Sequence, residues 1–342
     1  MKALVKTKPG SGHVELLDMP EPTPAPHQVK LEILACGICG TDLHVFHDTF
    51  RNFPPVILGH EFVARVIEEG ADVRGMTDPQ ARYAVLGATA VIDRTDPFVR
   101  SGNFILSPQR RGMGHGVHGG FARYAVVRPD QLFRLDPSLP AEEGALVEPL
   151  AVAVHAVGEQ THVCPGDFAL VSGPGPIGLL CLMVLTHLGV KTIVAGTTAD
   201  STRLALAREL GAIRVIDVQK ENLLEAVHSV AGRHGVDVVF EAAGAAPSAR
   251  SCLEALRPLG RYVQIGHFGC DISVPFDRIG FKQLEVTGSV GYTEATWERT
   301  MRLLAQGLRP SRIVTHRLPL SAWREGFDLF ERKIAAKVIL HP

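Results

Sequence analysis

Between an apolar run, "FALVS" (168–172), and a helical stretch, "PIGLLCLMVLTHLG", the chain places Gly173, Gly175 and Gly178 in the spacing G-x-G-x-x-G, with Pro176 and Ile177 filling the turn. The first glycine permits a tight turn, and the second lets a pyrophosphate approach the backbone. The third lets the helix pack on the strand, with its N-terminal dipole facing the phosphates. Glycine turns are common. This one follows a strand pattern, opens a helix pattern and heads an alternating region, which is the context that gives the motif its meaning. "TIVAG" reads as a second strand and "STRLALARELG" as a helix, with Leu204, Ala207 and Leu210 on one face and Gly211 as its stop. "RVIDV", "VDVVF", "RYVQIG" and "LEVTGS" continue the series. This alternation predicts an α/β fold, a doubly wound parallel Rossmann sheet over 156–292. Ile265 and Gly266, which close "RYVQIG", are assigned to the nucleotide site with the glycine loop.

The chain before this region has a different texture. "QVKLEILA" alternates polar and apolar residues, "EFVARVIEEG" does so less cleanly, and "FARYAVV" follows. Pro- and Gly-rich stretches ("MPEPTPAP", "NFPP", "GMGHGVHGG") punctuate them, which predicts a mostly antiparallel, barrel-like β domain over 1–155. After Gly291, "TEATWERTMRLLAQG" reads as a capped helix. The closing "AAKVILHP" reads as a strand that rejoins the first domain, so 293–342 are assigned there. A length of 342 residues suffices for two cores.

Charge and composition exclude other classes. Lys plus Arg is 35 against 36 for Asp plus Glu, a net charge of -1, so a nucleic-acid backbone finds no basic footprint. The opening "MKALVKTKPGSG" lacks the apolar segment of a secretory signal. The most apolar run, 177–190, is short and carries Thr186 and His187, so no membrane span is expected. Six scattered cysteines point to a reducing, cytoplasmic setting.

Chemistry concentrates in "CGICGTDLH" and "GHE". Cys39, His60 and Glu61 supply a thiolate, an imidazole and a carboxylate, a set that suits zinc, and Glu148 in "VEPLAVAVHA" is a further carboxylate. Cys36 and Cys39 also form a C-x-x-C pair, but a redox pair belongs at a helix start in a βαβ setting, which this is not. Taken singly, His44, His47, His115 and His118 read as surface or structural histidines.

"CGICGTDLH", "GHE", "GGFARYAVV", "EPLAVAVHA" and "SGPGPIG" occur in the order and spacing of zinc-dependent medium-chain alcohol dehydrogenases, which the whole chain resembles. The polyol (sorbitol or L-iditol) and threonine branches are nearest. The resemblance implies a GroES-like catalytic domain, split in sequence around a Rossmann domain, with the active site in the cleft. It implies Cys39, His60 and Glu61 as zinc ligands, with Glu148 reaching the metal directly or through water. Thr41 becomes a relay hydroxyl, His44 the next station, and Asp42 the carboxylate that orients His60. The implied chemistry is Lewis-acid activation of an alcohol and hydride transfer to a nicotinamide. "EPLAVAVHA" is the polyol-type form, where threonine enzymes tend to carry Asp-Pro-Phe-Gly, whereas "MKALVK" and "IVTHRLPLSAWREGFDLF" look like the threonine branch. The implied substrate is therefore a polyol first and L-threonine second. From another class comes a catalytically silent relative; retention of Cys39, His60, Glu61 and Glu148 together argues against it.

Three details depart from or extend the family pattern. About twenty residues beyond the glycine turn, NAD-binding folds place a carboxylate for the ribose 2′-hydroxyl. Here the strand end offers Thr197 and Thr198, while Asp200 reads as a helix N-cap. Thr197, Thr198 and Arg203 are accordingly assigned to the cofactor, NAD(P) with NADP favoured. "CDISVPFD" (270–277) reads as an edge strand of the nucleotide sheet, which the family pairs across a two-fold axis, implying a homodimer or homotetramer. Finally, relatives carry a lobe with four cysteines spaced C-x2-C-x2-C-x7-C around a structural zinc; the matching positions here are Asp93, Asp96, Val99 and Ser107. Valine cannot ligate, and two carboxylates cannot make a sulfur-rich tetrahedral site. One zinc per subunit is expected, with Phe98, Phe104, Ile105 and Leu106 packing in place of the second.

Overall fold

In the computed structural model, which describes residues 1–342, the strand that precedes the glycine loop, Phe168–Ser172, lies near the centre of a six-stranded sheet. The order across the sheet is Arg214–Asp217, Lys191–Gly196, Phe168–Ser172, Val236–Glu241, Leu256–Gln264 and Glu285–Gly288, and every pairing is parallel. The chain thus winds from the centre to one edge, returns, and winds to the other, as the sequence pattern predicts. Parallel strands need cover on both faces, so their residues are apolar without alternation. Ala169, Leu170, Val171, Ile193, Val194, Val238, Val239 and Phe240 are all fully buried. Helices Pro176–His187, Ser201–Glu209, Leu223–Ala231 and Ala246–Ala255 provide the crossovers. Residues 270–277 are not a strand: the outer place is held by Glu285–Gly288, and the segment runs without a ladder into a short helix, Asp277–Lys282.

This sheet belongs to a unit formed by Pro149–Tyr292 with Lys333–Ala336; Met1–Glu148, Thr293–Arg332 and Lys337–Pro342 form the other. The second unit is built on a sheet in the order Val314–Pro319, Lys337–His341, Val29–Gly37, Glu61–Glu69, Tyr83–Val85 and Leu132–Arg134, with Tyr124–Val127 also paired to Val29–Gly37. All of these pairings are antiparallel except that of Val314–Pro319 with Lys337–His341. Val29, Leu31, Ile33 and Ala35 point into the core, which is the period-2 pattern of a half-buried strand. Two registers matter for the site. Gly37 pairs with Glu61 on one side and with Ile339 on the other, which puts the start of the last strand, Lys337, next to Glu61. No helix is long and apolar enough to cross a membrane.

Candidate metal and nucleotide sites

The strand Val29–Gly37 delivers the chain to Cys39, the N-cap of the short helix Gly40–Phe46. The carboxylate of Asp42 reaches back to accept from the Cys39 amide at 2.9 Å, and its other oxygen accepts from the Gly59 amide at 3.2 Å. One buried side chain therefore ties the thiol-bearing turn to the turn that carries His60. Gly59 has φ +85°, and a Cβ there would meet the Phe121 ring at 2.8 Å, so only glycine fits this crossing. Asp42 Oδ1 lies 3.8 Å from His60 Nδ1, a charge contact too long for a hydrogen bond.

Cys39, His60 and Glu61 come together: their ligand atoms all lie within 4.8 Å of one another, the one such group of three metal-binding side chains in the chain. His60 Nδ1 and Glu61 Oε1 are buried with no hydrogen-bond partner. Buried polar atoms are seldom left so, and a set of soft and hard donors with open valences fits a zinc ion. Burial opposes charge on His60, but the Cys39 thiolate, Asp42 and Glu148 outweigh it and hold its pKa well above the usual imidazole value. The same charges would attract a divalent cation. Glu148, second residue of the helix Val147–Gly158, acts on His60 through its charge and lies outside the group of three. Thr41 Oγ1 is 3.7 Å from Cys39 Sγ. His44 lies three residues further along the same helix, exposed, with Nδ1 3.0 Å from Thr49 Oγ1. Cys36 is buried, and burial together with Asp42 and Glu61 pushes its thiol pKa well up, which suits a core residue and not a redox nucleophile.

Sequence reasoning missed one residue here. Lys337 is 1% exposed, and its Nζ donates to Glu61 Oε2 and to the Ile38 carbonyl, the latter at 2.8 Å. Burial lowers its pKa, but Glu61, Cys39 and Glu148 more than compensate and raise it overall.

The lobe at 93–107 is held by hydrogen bonds among the residues that stand at the four cysteine positions. Asp96 caps the helix Pro97–Arg100, accepting from Phe98 N at 2.7 Å, and its second oxygen accepts from Ser107 Oγ at 2.9 Å. Asp93 accepts from the Thr95 amide and hydroxyl at 2.8 and 2.7 Å. The expected apolar cluster is corrected: Phe104 is buried, but Phe98 and Leu106 are 48% and 51% exposed. Polar caps and turns, which a tally of apolar residues ignores, order the segment.

In the other unit the glycine loop has the form its sequence predicts. Gly173 has φ +101°, and a Cβ there would lie 2.6 Å from Ala243 N. A Cβ on Gly178 would collide with the Gly173 carbonyl, whereas one on Gly175 would meet nothing within 4 Å. Gly175 therefore faces open space at the N-terminus of Pro176–His187, room that a pyrophosphate could occupy, with Ile177 in the first turn. Ile265 and Gly266 both donate to the Glu241 carbonyl at 2.9 Å, placing them beside the same loop through Ala242 and Ala243. The strand-end residues are more committed than expected. Thr197 Oγ1 donates to Asp200 at 2.7 Å and Thr198 Oγ1 to Asp217 at 2.7 Å. Arg203 is buried, donates to the Ala335 carbonyl at 2.8 Å and lies 3.5 Å from Asp200, so it braces the unit and does not stand at the strand end as an open cation.

Comparison with known proteins finds relatives of both parts of the chain. The family models described as "Alcohol dehydrogenase GroES-like domain" and "Zinc-binding dehydrogenase" match residues 25–137 and 176–306. A sorbitol dehydrogenase of Halalkalibacterium halodurans is 35% identical, over 100% of this chain and 99% of that protein. A D-arabitol-phosphate dehydrogenase of Enterococcus avium is 33% identical, over 96% and 94% of the two chains. A solved Sinorhizobium meliloti protein bound to NADP superposes with a TM-score of 0.89 at 30% identity, covering 100% of this chain and 99% of that one.

Proposed function

The chain belongs to the zinc-dependent medium-chain alcohol dehydrogenase family, and on that premise we propose that it oxidises a secondary alcohol, a polyol first, to a ketone with NAD(P) as acceptor. The observation that carries the reading is the convergence of Cys39, His60 and Glu61 with two buried valences left open. Zinc held by these three, with Glu148 reached directly or through water, would supply Lewis acidity at the alcohol oxygen, and a bound nicotinamide would supply the hydride acceptor. The chain's own work is positioning and proton transfer. Asp42 fixes the Cys39 and Gly59 turns relative to each other. Thr41, beside the thiol, takes the alcohol proton, and His44, one turn on and exposed, hands it to solvent.

A panel of polyols, simple secondary alcohols and L-threonine, each with NAD and NADP, tests the substrate and the cofactor together. Polyols should give the highest kcat/KM, and L-threonine in their place would overturn the polyol reading. NADP should serve at least as well as NAD, because no carboxylate occupies position 197 to repel a 2′-phosphate. A kcat/KM strongly favouring NAD would refute that part, and the engagement of Arg203 means any preference rests on Thr197, Thr198 and backbone amides.

We further propose a homodimer or homotetramer joined at the outer edge of the nucleotide sheet, where Val286, Val290, Phe276 and Phe281 are exposed, Phe281 by 85%. Metal analysis on light-scattering fractions should return an oligomer with one zinc per subunit. A monomer, or two tightly held zinc ions per subunit, would reject the corresponding half of this statement.

A further inference from the structure

Thr197 and Thr198 follow the strand Lys191–Gly196, about twenty residues past the glycine turn, where a dinucleotide fold meets the 2′ position of the adenosine ribose. Neither carries charge. The chain brings a cation to this place from far along the sequence. Lys333–Ala336 belong to the nucleotide unit, although the residues on either side belong to the other. Ala335 is buried, and its carbonyl accepts from Arg203 Nε at 2.8 Å, which pins the segment to the helix Ser201–Glu209. Lys333 then reaches Asp200, with Nζ 3.5 Å from Oδ2. That same oxygen accepts from the Thr197 amide at 3.1 Å and from the Thr197 hydroxyl at 2.7 Å. The legs of 3.5 and 2.7 Å place the ammonium no more than about 6 Å from Thr197 Oγ1.

Asp200 is buried and shared between two cations, since Arg203 Nη1 lies 3.5 Å from its other oxygen. Of the two, Lys333 is the one open to solvent, its side chain 46% exposed. The other carboxylate at this strand end, Asp217, is occupied separately: it accepts from Thr198 Oγ1 at 2.7 Å and pairs with Lys220 at 3.1 Å. Backbone geometry points the same way. Lys333 has φ +61°, in the left-handed region that costs any residue with a β-carbon and that glycine adopts freely. It follows Arg332, the C-cap of the helix Trp323–Glu331, a position that helix ends ordinarily give to glycine. The turn itself calls for glycine, so the side chain at 333 is to be explained by what it reaches.

We propose that Lys333 binds the 2′-phosphate of NADP, leaving Asp200 to Arg203 and Thr197, and so sets the choice between the two nucleotides. A lysine ammonium is a compact charge on a flexible four-carbon stem. It can pass from a 3.5 Å contact with a carboxylate to a dianionic phosphate without moving the backbone. The unphosphorylated ribose of NAD offers only a neutral hydroxyl there. The inference rests on the reading of the glycine loop as the seat of NAD(P), and it names the residue that tells the two forms apart.

The test titrates the wild-type chain, Lys333→Gly and Lys333→Arg with NADPH and with NADH, followed by nucleotide fluorescence. The wild type should bind NADPH more tightly. Lys333→Gly should weaken NADPH about ten- to a hundredfold, the worth of one charge-assisted hydrogen bond, and move NADH by less than about twofold. Glycine suits the backbone at 333, so the melting temperature should stay close to the parent's. Should it fall well below, Lys333→Gln takes the place of the glycine variant in the same titrations. Lys333→Arg should keep most of the NADPH affinity, and added salt should weaken NADPH more than NADH in the wild type. An equal loss with both nucleotides, or a glycine variant that keeps the NADPH advantage, would overturn the proposal while the NADP reading stands. A wild type that favours NADH overturns both, and alcohol oxidation with NAD then shows that the dehydrogenase reading survives. If no alcohol is oxidised, that reading fails, and the titrations, which need no turnover, still decide the role of Lys333.

Discussion

Cys39→Ser abolishes turnover while the protein continues to bind reduced nucleotide. Serine nearly preserves the shape of the side chain but replaces a thiolate by a neutral hydroxyl, a poor zinc ligand. The remaining donors, His60 and Glu61, cannot close the shell, and Glu61 already has a cation on its other oxygen. The loss should exceed the ~10–100-fold that follows removal of a group merely supporting a ligand. The glycine loop is untouched, because Gly173, Gly175 and Gly178 belong to the other folding unit. Titration of the variant with NADPH, followed by nucleotide fluorescence, should give a dissociation constant within a few-fold of the parent's. Activity at the parent's level would end the zinc mechanism; loss of nucleotide binding as well would show that the substitution unfolds more than the metal turn.

How far this site could be read in advance depends on the distance over which each signal acts. The parallel sheet was legible because its strands carry their own evidence: "FALVS", "TIVAG" and "VDVVF" are buried on both faces and so are apolar throughout. Cys39, His60 and Glu61 were legible as donor types, and the antiparallel registers then bring them together. Lys337 was not. Its partner Glu61 is 276 residues away in sequence, and a lysine opening an apolar terminal strand reads as a solvated strand end. The edge-strand reading of Cys270–Asp277 failed for a related reason, since a segment's own residues say nothing about whether a neighbouring strand exists to pair with it. Phe98 and Leu106 show the same limit on the packing side: in a lobe ordered by Asp96, Ser107 and Asp93, apolar residues need not be interior. Arg203 inverts the case, a helix arginine read as available to a ligand and found spent on a carbonyl and a carboxylate.

The ion pair missed in the sequence should carry the largest stability effect in the catalytic unit. Lys337 and Glu61 are each 1% exposed, so Lys337→Met leaves an uncompensated carboxylate in the core. Breaking such a pair from one side costs about 3–5 kcal/mol, because the stranded charge keeps its desolvation penalty. For a unit of this size that corresponds to a fall of roughly 6–20 °C in the melting temperature of the metal-free protein. The pH dependence has a definite sign. Lys337's pKa is raised in the folded state, so its contribution is fully present below the ordinary lysine value and is lost only as pH rises past the higher, folded one. The defect should therefore be constant between about pH 7 and 9. Zinc should return part of the lost stability, since a cation beside Glu61 replaces the missing ammonium. Arginine is not a conservative alternative: Lys337 Cε already fills the space a Cβ on Gly37 would meet at 3.0 Å. Lys337→Met combined with Glu61→Gln should recover much of the metal-free melting temperature while remaining inactive, which separates the charge pair from simple packing of the lysine stem. A metal-free Lys337→Met protein that melts with the parent, or a double variant less stable than the single one, would show that the pair does not hold this site together.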